Sequence, residues 1–442
     1  MRLILLYILM LSALCMPVSA VTAQQRADSA LMQYLVGEGL KSYPVDAVDF
    51  YPNGSDKFKA LLRDIDQAQH KVWIEYFIFA NDAIGQLVME HLVQAAQRGC
   101  DVRVVTDYYK DRERHFGMGT RAYADSLARL GVDFQMYDRF KVICFNHVTR
   151  DHRKIVVIDD RIGYIGGLNV ADYYISGDPS YGGWRDMHAR ITGAAVEGLA
   201  LLFHNLYTLS GGRKAYDYKL QITEYDFKLQ ITDYDSQFRN SDYDPQRRDL
   251  SSVICNQASA VYFERSQASR QKKAETRNAL IAAFDAARDT IRLVSPYVMP
   301  THTVRQAMIR ALDRGVHIEV MFSKVGDIEL ISSGNYHFAQ RLIRHGAHVY
   351  LYKGAFHHSK IMMVDGQFCM VGSANLNSRS LKFDLEASAF LFGAEPTRAL
   401  TRIFEQDKLR CDTLTPSYYK QSYPRSFRAK GWFADRFLTP FL

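Results

Sequence analysis

What the chain lacks narrows its class before any motif is considered. Its six cysteines include no Cys-x-x-Cys pair, which removes the usual zinc and dithiol-redox readings. Cys100, Cys144, Cys255, Cys369 and Cys411 are widely scattered and read as small buried hydrophobes with at most one or two bridges. Beyond the first 23 residues there is no second apolar run long enough to span a bilayer. An acidic excess is also missing: 55 Lys and Arg against 48 Asp and Glu give a formal charge of +7. That balance suits anionic partners such as phospholipid headgroups or nucleic acid, without choosing between them. With 48% hydrophobic and 23% charged residues the chain is globular rather than disordered. At 442 residues it is long enough for two domains or one large duplicated one.

The N-terminal segment, residues 1–23, reads as an export signal or a single membrane anchor. Arg2 precedes an uncharged apolar run from Leu3 to Met16, followed by Pro17 and small residues that allow cleavage after Ala20 or Ala23. Either reading places the body of the protein on the periplasmic or extracytoplasmic side, associated with the cell membrane. Leu14 stands before Cys15 where lipid attachment wants a small residue, which argues against a lipoprotein.

The rest of the chain is written twice. His152-x-Lys154-x4-Asp159 is followed after six residues by Gly166-Gly167-x-Asn169, and His358-x-Lys360-x4-Asp365 after six by Gly372-Ser373-x-Asn375. Upstream, the strand-like runs at Lys71–Tyr76 and Ile291–Tyr297 each lead into a helical pattern, Leu87 to Gly99 and Val304 to Gly315. A β-branched strand then follows each, so both copies predict a βαβ unit with a glycine at the helix C-terminal cap. Downstream, Asp186 and Glu386 each stand at the head of a strand-like stretch. The expected architecture is α/β: a first half at 24–210 and a second at 251–400, with mixed sheets flanked by helices. The halves are expected to pack with pseudo-twofold symmetry around one active site.

Two segments fall outside the repeat. Residues 211–250 carry Tyr-Asp pairs at a period of nine (Tyr216-Asp217 to Tyr243-Asp244) without the glycine-rich turns of a calcium-binding array. They read as a linker enlarged by local duplication, with a lid over the site as the sharper alternative. The tail 401–442 mixes Arg425, Arg428, Lys430 and Arg436 with Phe427, Trp432, Phe433, Phe437 and Phe441. That composition suits a bilayer interface and equally a helix docked on the protein's own core.

The chemistry follows from residue type and spacing. Positions two apart on a strand face the same way, so His152 and Lys154 project together, as do His358 and Lys360. Pseudo-twofold packing would then collect two histidines, two lysines, Asn169 and Asn375 in one pocket. Ammonium and amide groups neutralise and hydrogen-bond phosphoryl oxygens, so neither metal nor cofactor is needed to offset phosphate charge. A neutral imidazole attacks phosphorus while the opposite imidazolium protonates the leaving alkoxide. His357, His147 and His188 have no partner pattern and read as structural.

The doubled His-x-Lys-x4-Asp-x6-Gly-Gly/Ser-x-Asn pattern resembles the signature of the phospholipase D superfamily. Flanking words resemble bacterial cardiolipin synthases: Ile74-Glu75-Tyr76-Phe77, Arg185-Asp186 after Trp184, Gly372 to Ser380, and the closing Arg436 to Leu442. This resemblance runs from about residue 45 to the end and implies a covalent phosphohistidine. It carries the nucleophile onto His152 and the general acid and base onto His358, with the reverse order open. It places Lys154, Lys360, Asn169 and Asn375 on the substrate phosphate, with Gly167 and Ser373 in support. Glu386 would orient and polarise a histidine, with Asp186 as its counterpart. Asp159 and Asp365 belong to the catalytic motif but are expected to orient side chains or support the fold. Asp384 stands where the family commonly has asparagine, and the single signal-like segment replaces the family's common pair of N-terminal spanning helices. The implied reaction moves a phosphatidyl group from one phosphatidylglycerol to another at a membrane surface, with glycerol released. Hydrolysis of phospholipid or nucleic acid by the same residues, and a non-catalytic lipid-binding role, remain the alternatives, and oligomeric state is open.

Overall fold

The computed structural model describes residues 31–37, 39–108, 121–137, 149–214, 252–265 and 275–441. The export segment and nearly all of the Tyr-Asp repeat lie outside the described residues. In the first half, β1 (Ser42–Tyr51) leads to α1 (Gly54–Asp66), β2 (Lys71–Tyr76), α2 (Ala83–Gln97), β3 (Asp101–Asp107), α3 (Arg121–Arg129) and β4 (Val132–Tyr137). The chain returns through β5 (Lys154–Ile158), β6 (Ile162–Gly166), α4 (Tyr173–Ser176), β7 (Gly183–Arg185), β8 (His188–Thr192) and α5 (Val196–Leu209). The second half opens with β9 (Ser252–Arg265), α6 (Glu275–Ala286), β10 (Thr290–Val294), α7 (His302–Asp313), β11 (His317–Ser323), α8 (Glu329–Arg344) and β12 (His348–Tyr352). It continues with β13 (Ala355–His357), β14 (Ile361–Val364), β15 (Phe368–Gly372), α9 (Ser378–Lys382), β16 (Glu386–Phe392) and α10 (Ala394–Lys408). β17 (Cys411–Thr413), α11 (Pro416–Ser422) and α12 (Arg425–Phe433) complete the chain.

Local sequence sets the ends of these elements. Asp82 caps α2 by accepting from the Gly85 N–H, and Gly99 ends it at φ +95°. Gly315 ends α7 at φ +89°, a left-handed conformation that glycine adopts without the Cβ penalty. The apolar runs of β5 and β14 are buried along their whole length. Each such aliphatic side chain is worth roughly 1.5–3 kcal/mol of burial, which makes these strands the centre of each half.

All but two of the strands among the described residues join one sheet in the order β17-β12-β11-β10-β14-β15-β16-β9-β1-β8-β6-β5-β2-β3-β4. Outward from the β9–β1 seam, the arms β1, β8, β6, β5, β2, β3, β4 and β9, β16, β15, β14, β10, β11, β12 repeat one topology. In both, the three outer strands are parallel and the rest antiparallel. Side-chain alternation splits the core into layers. Ile155, Val157, Ile361 and Met363 share one central cluster with α5 and α10. Val156 and Ile158 face the α1–α2 layer, while Met362 and Val364 face α6 and α7.

The tail does not stand apart from the second half at 401. The apolar spacing of Leu400, Ile403 and Phe404 carries α10 across that boundary, and β17 adds a strand beside β12. Among the described residues, no helix is long and apolar enough to cross a membrane. Cys100 and Cys369 are buried.

Candidate active site

The two small strands outside the main sheet build the site. β7 and β13 pair in parallel across the halves, Phe356 opposite Trp184 and His357 opposite Arg185, so the chain entering His358 lies along the chain entering Asp186. A matching parallel bridge joins Asp151 to Leu385 and lays the approach to His152 along the approach to Glu386. The His152 N–H donates to the Leu385 carbonyl at 2.9 Å and the His358 N–H to the Arg185 carbonyl at 2.6 Å.

Each motif histidine therefore meets the carboxylate of the other half. His152 Nδ1 lies 3.1 Å from both carboxylate oxygens of Glu386, and His358 Nδ1 lies 2.7 Å from Asp186 Oδ2. A carboxylate on Nδ1 favours the tautomer with the proton there, which leaves the Nε2 lone pair for chemistry; at His358, Lys360 Nζ also approaches Nδ1 to 2.7 Å. The carboxylates are themselves held: the Met187 N–H donates to Asp186 at 2.7 Å, and Ser373 Oγ donates to Glu386 at 2.5 Å. Gly167 occupies the place of Ser373 beside the shorter acid, where a Cβ would sit 2.0 Å from Asp186 Oδ1. The pairings Gly167 with Asp186 and Ser373 with Glu386 thus fill equal spaces in different ways.

Lys154 and Lys360 are buried at the heads of their strands. Lys154 Nζ donates to the His152 carbonyl at 2.5 Å, and Lys360 Nζ lies 3.9 Å from Asp186. Burial pulls Lys154 down to about 7 and Lys360 down to about 8, since an enclosed ammonium loses hydration. Burial likewise pushes Glu386 up to about 7, against the pull of Lys154. Burial also favours the neutral form of Asp186, but Lys360 and His358 hold it below the usual carboxylate value. Burial, followed by Lys154, Lys360 and Arg379, lowers His152 well below the ordinary imidazole value, and His358 falls to about 4 through burial and Lys360. Both imidazoles are thus held toward the neutral form.

The asparagines divide. Asn169 Oδ1 accepts from the Ile78 N–H at 3.1 Å and its amide donates to Tyr174 Oη at 2.6 Å, so it clamps the turn after β2. In the second half that turn is held by Asn335, which accepts from the Val298 N–H at 2.8 Å. The buried Asn375 Oδ1 then has no hydrogen-bond partner among the described residues. Asp159 and Asp365 are a correction to the catalytic set, because they sit at the far ends of β5 and β14 from the histidines. Asp159 accepts from the N–H groups of Gln69, His70 and Lys71, and Asp365 from those of Arg288, Asp289 and Thr290. The expected departure at Asp384 has a visible setting: burial pushes it up to about 7, Arg379 pairs with it at 2.9 Å, and the Arg150 N–H donates to it. His357 turns away from the pocket to Asp407 at 3.2 Å, and His188 is buried.

Several surrounding groups carry no motif. Phe77 meets the His152 ring edge-on at 4.9 Å, while Trp184, Phe356 and Tyr297 lie 5.3, 5.5 and 6.4 Å from His358. The spacing of Trp184 two residues before Asp186 was the available signal for one of them. Lys57 is fully buried in α1, donates to Tyr76 Oη at 2.8 Å, and is lowered well below its ordinary value by burial. Tyr76 is the cross-strand partner of Lys154.

Comparison with known proteins accords with this geometry. The family model described as cardiolipin synthase, phospholipase D-like domain, matches residues 61–177 and 280–408, one segment in each half. A cardiolipin synthase of Listeria monocytogenes is 28% identical over 415 residues, covering 92% of this chain and 78% of that protein. A probable cardiolipin synthase of Bacillus subtilis is 28% identical over 388 residues, covering 87% of this chain and 70% of that one. The crystal structure of a phosphatidylserine synthase from Haemophilus influenzae shares the fold, with a TM-score of 0.67 at 15% identity over 94% of this chain and all of that one. With both copies of its motif matched and its halves folded as one sheet, the chain belongs to the cardiolipin synthase family of phospholipase D-like phosphatidyltransferases.

Proposed function

We propose that the chain makes cardiolipin from two molecules of phosphatidylglycerol. His152 attacks the phosphorus of the first molecule, the bond from phosphorus to the glycerol oxygen breaks, and His358, which takes up a proton at Nε2 when the anionic phosphate enters beside it, gives that proton to the oxygen as glycerol leaves. His358 then takes the proton from a hydroxyl of the second phosphatidylglycerol, whose oxygen attacks phosphorus and releases His152. Lys154 and Lys360 offset the phosphate charge, joined by the amide of Asn375.

The observation that carries this reading is the crossed pairing of each histidine with the opposite half's carboxylate. It gives both imidazoles the orientation a two-step displacement needs. Charge supports the order of roles. Asp186, held ionised beside His358, favours an imidazolium there, whereas His152 faces the higher-pKa Glu386 and the fields of Lys154, Lys360 and Arg379. His152 is therefore the better nucleophile and His358 the better proton carrier.

Incubation of purified protein with phosphatidylglycerol, followed by mass analysis of the lipids, tests the proposal. Cardiolipin with an equivalent of free glycerol is expected. Phosphatidic acid alone would mean that water is the acceptor, degradation of DNA instead would mean a nuclease, and unchanged lipid turnover in His152→Ala would remove the mechanism.

A further inference from the structure

The tail divides its aromatic residues between two uses. Tyr419, Tyr423 and Phe427 pack on Tyr336 of α8, with ring centroids 6.1, 4.6 and 5.7 Å away. Gly431 and Ala434 bring the helix against Ser333 and Gly334 of the same element. Arg305 pins the far end through Asp435 at 2.5 Å and Thr439 at 2.8 Å. So anchored, α12 and the π-helical turn Ala434–Leu438 hold Trp432, Phe433 and Phe437 outward, 53%, 47% and 49% exposed, with Phe441 beyond them at 68%. Phe437 touches both Trp432 and Phe433 at 5.7 and 5.4 Å, which makes them one patch.

This patch reaches the catalytic pocket. Lys430 bonds Glu329 at 3.0 Å, at the start of α8. The loop just before it exposes Val325 (61%) and Ile328 (48%), so six of the eleven exposed large hydrophobic side chains among the described residues gather here. Between those two, Asp327 accepts from Tyr297 Oη, and the Tyr297 ring is 6.4 Å from His358. The charges are one-sided: Glu329 and Asp435 are taken by Lys430 and Arg305, while Arg425 and Arg436 are exposed with no acidic partner among the described residues. Aromatic side chains flanked by unneutralised arginine match the boundary between anionic headgroups and acyl chains. A protein partner of ordinary surface would need acidic groups for those arginines and a largely apolar centre for the rings.

We propose that this face, α12 with its π-helical turn and the 325–328 loop, is the surface by which the enzyme seats on an anionic bilayer, bringing the pocket mouth to the headgroups. The inference deepens the phosphatidyl-transfer reading and rests on it for its purpose, while its binding test stands alone. Trp432 is the exposed tryptophan of the chain's three; Trp73 is 1% exposed.

The full chain is mixed with vesicles of acyl-brominated phosphatidylcholine containing a minority of phosphatidylglycerol. Quenching of its fluorescence is expected and should disappear in Trp432→Phe while binding persists. In the variant Trp432→Ala/Phe433→Ala/Phe437→Ala, turnover of vesicle phosphatidylglycerol should drop at least about tenfold. Turnover of detergent-dispersed phosphatidylglycerol should stay near the parent value, which also certifies folding. Bound protein without quenching, seated by another face or by residues 1–30, overturns the proposal, as does failure to bind anionic vesicles. Quenching by a protein that turns over no phosphatidylglycerol in either form would retain the face and dismiss the catalytic reading.

Discussion

Asp186 and Glu386 are the residues on which the histidines depend, each serving the histidine of the opposite half. Replacing Glu386 by Gln keeps a hydrogen-bond partner for His152 but offers it as readily in the wrong tautomer. The kcat is expected to fall on the order of 10²-fold or more, with the melting temperature preserved. The two imidazoles can be told apart by leaving group. With a p-nitrophenyl ester of phosphatidic acid, whose leaving group needs no proton, His358→Ala should still release p-nitrophenol, whereas His152→Ala should lose at least about 10³-fold on both substrates. Equal losses for the two variants would argue for the reverse order. Gly167→Ala supplies a steric test. Its Cβ would lie 2.0 Å from Asp186 Oδ1, so the carboxylate must leave His358, and activity should fall as in Asp186→Asn while Ser373→Ala is milder.

At the scale of elements, β5 and β14 are tied at both ends, with the motif histidines and lysines at the head and the motif aspartates at the tail. Asp159 and Asp365, at φ 52° and 53°, each gather three backbone N–H groups from the turn before β2 or β10. Asp365→Ala strips the acceptor from all three, and a stability loss of about 2–4 kcal/mol is expected from thermal melts, with kcat of the folded protein little changed. This is also where the limits of sequence reading are clearest. The doubled spacing makes both strands, both βαβ units and the six motif positions legible, because every offset is local and repeated. It does not separate the two jobs of the aspartates, since the groups they bind lie some ninety and seventy-five positions upstream. The clamping of Asn169 was hidden for a related reason: its partner Tyr174 sits in α4, a short helix with no counterpart in the motif.

At the scale of the molecule, the pocket's charge depends on what occupies it. Burial leaves Lys154 near 7 and Lys360 near 8, well below the unfolded value of about 10.4. Between those limits the folded, ligand-free protein holds fewer protons than the unfolded chain, so these two groups make stability rise with pH across that window. A bound phosphate reverses the preference by favouring the ammonium forms. Inorganic phosphate binding at pH 8 should therefore take up protons, read from the dependence of calorimetric enthalpy on buffer ionisation heat, and Lys360→Met should reduce the uptake. Binding without uptake would mean that the lysines are already charged in the empty site.

The crossed pairing could not be read from either copy of the motif, because histidine and carboxylate lie 234 and 172 positions apart and meet only where the halves join, along the β1–β9 seam and through the β7–β13 and Asp151–Leu385 pairings. Since each imidazole borrows its acid from across that seam, severing the chain near residue 230 would give two fragments, each complete in its own signature yet inert. Activity should return only when the fragments are remixed. Because Gly167 stands with Asp186 and Ser373 with Glu386, two copies of one fragment should not replace the mixed pair.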